Sequence, residues 1–110
     1  MALKRIQINE GPAMVDIINL VPGNDLSFQL TIDHDITDST FEAEMLTNAK
    51  VAVGSFVVSG VSPLVSGVVD ISMNAAGTEL IGAGCTWYLD ELSSEGRETL
   101  YVGNVELYYK

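Results

Sequence analysis

The densest group of ionisable side chains is Asp33-His34-Asp35-Ile36-Thr37-Asp38-Ser39, where three carboxylates flank the chain's single imidazole. Carboxylate oxygens this close in sequence are the hard donors a calcium ion recruits, which makes Asp33, Asp35 and Asp38 candidate ligands for a weakly held cation. The stretch has neither the glycine nor the closing glutamate of an EF-hand loop, so a solvated acid-rich turn accounts for it as well. His34 has no second imidazole with which to share a metal and reads as a surface loop residue.

The nucleophiles are no better placed. Cys85 is the only cysteine; it can form no internal disulfide, and with only His34 as a base it reads as a packed, inert thiol. Ser55, Ser59, Ser62 and Ser66 line a strand and a loop without a Gly-x-Ser-x-Gly elbow. No catalytic residue and no cofactor is expected, and the chain is not expected to be an enzyme. The aromatic residues are better suited to binding, because aromatic rings dominate interface energetics. Trp87 and Tyr88 are neighbours on one predicted strand and must face opposite ways, with Trp87 expected inside. Tyr88, Tyr101, Tyr108 and Tyr109 are the interface candidates.

The elements that would position these groups alternate with a period of two. Leu26, Phe28, Leu30 and Ile32 fall on every second position between Asp25 and Asp33, the pattern of a strand with one face on a core. Val21-Pro22-Gly23-Asn24-Asp25 is a turn ahead of it. Phe41, Ala43 and Met45 alternate with Glu42 and Glu44. Val51 to Ser59 is a β-branched run with Phe56 its bulkiest member, and Gly60 to Gly67 is a loop. Val69, Ile71 and Met73 alternate with Asp70 and Ser72.

The period is lost between Asn74 and Gly84, which predicts one short helical turn near residues 75–82 with Leu80 tucked under a sheet. Thr86 to Leu92 is an aromatic strand, Ser93 to Arg97 a hairpin connection, and Thr99 to Tyr109 a closing strand in which Gly103 marks a bulge or bend. Ahead of all this, Leu3, Ile6 and Ile8 alternate before a Gly11-Pro12 break, and Met14 to Val21 is an apolar run interrupted by Asp16 and Asn19. The reading is an all-β antiparallel sandwich of seven to eight strands over residues 22–110, preceded by an N-terminal strand or arm over residues 1–21.

A chain of 110 residues suits one domain. Fifteen acidic residues against five basic ones give a net charge of -10. That sign repels phosphate backbones and anionic lipid, so neither nucleic acid nor membrane is an expected partner. No apolar run reaches membrane-spanning length and no signal peptide is recognised, so synthesis and folding in a cytoplasm are expected.

The order of the pieces resembles an immunoglobulin-like β-sandwich of tailed bacteriophages, found at the N-terminus of baseplate upper and tail-fibre proteins or as small free-standing virion proteins. The resemblance covers roughly Pro22 to Leu107. It rests on the strand start Gly23-Asn24-Asp25-Leu26, the strand Phe41 to Leu46, the Gly-led strand Gly67 to Met73, and the turn Thr78-Glu79-Leu80 closing on Gly84. An aromatic strand, Thr86 to Asp90, the hairpin Glu95-Gly96-Arg97 and the last strand Leu100-Tyr101-Val102-Gly103-Asn104-Val105 follow. It implies a virion structural protein of the tail, baseplate or fibre-attachment apparatus, made in the host cytoplasm. Its partners would be other virion proteins and copies of itself, with a trimer suggested by analogy with fibres. Residues 1–21 depart from the pattern and read as an arm able to pair with a neighbouring subunit by strand addition. A capsid decoration (cement) protein and a carbohydrate-binding module stacking Trp87 and the tyrosines on sugar rings are the alternatives.

Overall fold

The computed structural model describes residues 12–32 and 34–108. Its strands are β1 (Ala13–Met14), β2 (Ile17–Leu20), β3 (Leu26–Thr31), β4 (Thr40–Leu46), β5 (Ala52–Ser55), β6 (Val57–Gly60), β7 (Val68–Met73), β8 (Thr86–Ser93) and β9 (Gly96–Leu107). Among the described residues the fold is all-β, in two sheets. The larger runs β9-β8-β4-β5 with β1 and β2 added on the free side of β9; the smaller runs β3-β7-β6. All ladders are antiparallel except those of β1 and β2, which run parallel to β9.

The alternation predicted for β3, β4, β7 and β8 decides which side chains meet between the sheets. Met45, Trp87 and Leu89 point in from the larger sheet and Val69 and Ile71 from the smaller, all essentially without solvent contact. Phe28, Phe56 and Trp87 meet edge to face with ring centroids 5.6 to 6.2 Å apart, an arrangement favoured by the ring quadrupole.

Phe56 also explains why the run Val51 to Ser59 is two strands and not one. β5 pairs with β4 in the larger sheet, while β6 pairs with β7 in the smaller. The chain crosses between the sheets at Phe56, whose N–H still donates to the Ala43 carbonyl at 2.9 Å while its ring fills the gap. Local composition is the same on both sides of the corner, so the crossing has no signature in it.

The helical turn expected near residues 75–82 is α1 (Ala75–Thr78), capped by Asn74, whose side chain accepts from the Gly77 N–H at 2.9 Å. The expected burial of Leu80 does not hold: it is exposed, and Thr78 and Ile81 point inward instead. Thr78 Oγ1 donates to the Asn24 carbonyl at 2.7 Å and accepts from the Gly23 N–H at 3.0 Å. This clamp to the preceding turn sets the rotation, so positions three apart, 78 and 81, share the inner face and Leu80 is left outside.

Gly103 is not the site of the bulge. Leu89 lies opposite Tyr101 and Asp90 opposite Thr99, so the extra residue is Leu100, and Gly103 pairs regularly with Trp87. Its small size serves the neighbouring strand, because a Cβ at Gly103 would lie 1.8 Å from the Val15 carbonyl oxygen. That oxygen accepts the Trp87 Nε1–H at 2.7 Å, and the Val15 N–H donates to the Val102 carbonyl at 2.9 Å. The described part of the 1–21 segment therefore lies on the sheet of its own domain, with Ile17 and Leu20 buried.

Candidate functional site

The acid-rich loop between β3 and β4 is organised by two separate carboxylates. Asp35 Oδ1 accepts from the Thr37 hydroxyl at 2.5 Å and the Thr37 N–H at 2.9 Å. These bonds, the hydroxyl's first, hold the Asp35 carboxyl below its ordinary range. Asp38 is exposed, and Asp33 lies outside the described residues. Among the described residues no group of three His, Cys, Asp or Glu side chains is placed to hold a metal ion. His34 reaches across to the sheet, and its Nε2 lies 2.8 and 2.9 Å from the two carboxylate oxygens of Glu91.

Glu91 points into the sandwich from β8 and is buried. Besides His34 it accepts the Ser39 hydroxyl at 2.5 Å. Burying an ionised carboxylate is costly unless it is paired and hydrogen-bonded, and here one imidazole and one hydroxyl meet it. The order is serine, carboxylate, imidazole. The hydroxyl faces the carboxylate and not the ring nitrogen, so this is not the serine-to-histidine relay of a nucleophile. The contact fastens both ends of the loop to the sheet. Sequence reading did not single out Glu91 or Ser39, which are 52 positions apart.

A second polar strip crosses the outer face of the larger sheet. Arg97 Nη1 donates to Asp90 Oδ2 at 2.5 Å and to Glu42 Oε1 at 3.1 Å, and Thr99 Oγ1 donates to Asp90 Oδ1 at 2.6 Å. The Asp90 bond, then the Glu42 bond, hold the Arg97 guanidinium more firmly protonated. Next to them the Tyr88 hydroxyl donates to Glu44 Oε1 at 2.5 Å. Burial first, then this bond, push the Tyr88 phenol well above its ordinary value.

A folded-state value above the unfolded one means that Tyr88 supports the fold below its unfolded pKa of about 10. That support is lost as pH rises from there toward the folded value. In an absorbance titration near 295 nm, native protein should ionise one tyrosine fewer between about pH 10 and 11 than denatured protein. Tyr88→Phe should abolish the difference; its persistence in that variant would assign the resistant phenol elsewhere.

The interface candidates differ in availability. Tyr88 is half-buried beside Leu46, Val102 and Met14, which form a shallow dip on the outer face. The hydroxyl of Tyr101 donates to the Thr31 carbonyl at 2.6 Å, tying β9 to β3. Tyr108 is 50% exposed, and Tyr109 lies outside the described residues. Trp87 is 1% exposed, as expected of the inward member of its pair, so it offers no ring face to a sugar. Cys85 is buried as well. Aliphatic residues that sequence reading passed over are more open: Met14 is 65% exposed on β1, Ile18 59% on β2 and Val57 68% on β6. The apolar run Met14 to Val21 contained two of these, but a parallel outer strand has no pattern distinguishing the residues it leaves in water. No protein-family model and no curated protein matches the chain.

Proposed function

We propose that this chain is a bacteriophage virion structural protein of the tail, baseplate or fibre-attachment apparatus, acting through protein–protein contacts and making or breaking no bond. The observation that carries the contact role is the set of large aliphatic side chains left in water on outer strands, Met14 and Ile18 on one sheet and Val57 on the other. Exposed apolar residues on strands with an unpaired side suit association by surface burial and strand contact.

The strand order supports the immunoglobulin-like part of the reading. An immunoglobulin sandwich sets its second, fifth and fourth strands against its third, sixth and seventh. With β1 and β2 counted as one outer strand, β3-β7-β6 faces β4-β8-β9 in that order, and β5 is the addition beside β4. The resemblance from Pro22 to Leu107 supplies the phage context, and the net charge of -10 suits a protein kept soluble at high local concentration.

The test is to purify particles of the phage that carries this gene and to locate the protein by mass spectrometry and antibody labelling. Label on tails or baseplates is the expected result. Label on heads would move the role to capsid decoration, and absence from particles would overturn the reading.

A further inference from the structure

On the outer face of the larger sheet the ladders place two unmatched charges and two exposed apolar side chains on opposite sides of one row. Leu46, Thr86 and Asn104 lie side by side in that row, across β4, β8 and β9. Two positions along the strands, Glu44, Tyr88, Val102 and Met14 form the next row, from β4 to β1. On the other side of the first row stand Lys50, in the turn between β4 and β5, and Ile18, which follows the pairing of Ile17 with Val105. Met14 and Ile18 are both largely exposed. Among the described residues Glu44 meets the Tyr88 hydroxyl but no cation, and Lys50 makes no ion pair.

We propose that this face packs against the same face of a second copy, about a two-fold axis that crosses the strands at the row of Leu46, Thr86 and Asn104. The inference rests on the reading of the protein as one that works by contact with copies of itself. A two-fold axis there exchanges the two sides of the row. Glu44 of each copy comes to the Lys50 end of the other, Met14 comes to Ile18, and Leu46 meets its own counterpart. Each unmatched charge then faces its opposite, and each exposed apolar side chain faces another.

Charge and size both suit a second copy. Copies of a chain of net charge -10 repel one another, so a contact between them needs a face where cations offset the carboxylates. Lys50 and Arg97 are the two basic side chains among the described residues, and both stand on this face. Arg97 lies at its rim, already matched by Glu42 and Asp90. The five strands from β1 to β5, about 4.8 Å apart, and the eight residues of β8, about 26 Å long, present roughly 600 Å² in projection. Side-chain relief brings the accessible surface close to the roughly 800 Å² that each partner buries in a standard interface.

The experiment follows the mass of the full-length chain by sedimentation equilibrium over a wide range of concentration. A monomer–dimer equilibrium is expected. Lys50→Glu should weaken it about ten-fold, since the symmetry repeats the reversed charge contact. Glu44→Lys should weaken it alike, and the two substitutions together should restore it. Circular dichroism checks each variant for folding, because Glu44 also holds the Tyr88 hydroxyl. Cross-linking decides independently of Glu44: in a Cys85→Ala background, Thr86→Cys should be joined to its counterpart by a short bismaleimide far more readily than Gln29→Cys on the outer face of the smaller sheet. A mass of one copy or of three at every concentration would overturn the proposal. So would association indifferent to Lys50→Glu, no recovery in the folded double variant, or equal cross-linking at positions 29 and 86. A monomer still found on particles would overturn this inference alone, and a dimer absent from particles would overturn the virion reading alone.

Discussion

Trp87→Ala is expected to lower the free energy of unfolding by about 4 kcal/mol, within the range for emptying a buried aromatic site. The ring is 1% exposed and lies edge-on to Phe28 and Phe56, so its removal opens the centre of the contact between the sheets. It also leaves the Val15 carbonyl without its indole donor. Against a total stability of about 5 to 15 kcal/mol for a domain of this kind, the variant keeps a marginal fold or none. Trp87 is the only tryptophan, so the comparison needs urea unfolding followed by far-ultraviolet circular dichroism and not by indole fluorescence. Trp87→Phe keeps much of the apolar burial while losing the bond to Val15, and should fall between parent and alanine variant. A Trp87→Ala protein within about 1 kcal/mol of the parent would show that the sheets do not depend on this cluster.

Gly103→Ala should cost about 3 kcal/mol although it adds a single methyl group, at the upper end of the usual penalty for overpacking. The added Cβ would lie 1.8 Å from the Val15 oxygen and 2.8 Å from Trp87 Nε1. One of them is backbone and the other the edge of a packed ring, so neither gives way without breaking the bond between them. The melting temperature should drop by roughly 12 °C or more, with the emission of Trp87 moving to longer wavelength as water reaches the indole. Gly82→Ala is the control, because nothing lies within 4 Å of the position its Cβ would take. Equal melting temperatures for the two variants would remove Gly103 from this role.

Some features of this fold depend on neighbours in the chain and others on neighbours in space. Alternation put Phe41, Ala43 and Met45 on one face of β4 and Trp87 inside β8, and the structure has them so, because a strand's two faces are set by parity alone. Leu80 went the other way: the rotation of α1 is set by the bonds of Thr78 to Gly23 and Asn24, more than fifty positions back. Gly103 was legible as a special position but not for its reason, which is the approach of Val15 from the other end of the chain. The same limit hid the site. Asp33, Asp35 and Asp38 stood out by proximity in sequence, whereas Glu91, which holds His34 and Ser39, and Asp90, which holds Arg97 and Thr99, depend on how distant segments fold together.

The parallel pairing of β1 and β2 with β9 gives the domain a mechanical character. β1 enters at one end of the sandwich and β9 leaves at the opposite end, so tension on the chain before Ala13 and after Leu107 pulls these strands past each other along their length. The bonds from Val15 to Val102, from Asn104 to Asp16 and from Tyr108 to Leu20 lie across that pull. They are loaded together in shear and cannot be peeled open one at a time. A pull along the chain therefore meets these bonds side by side and not in succession.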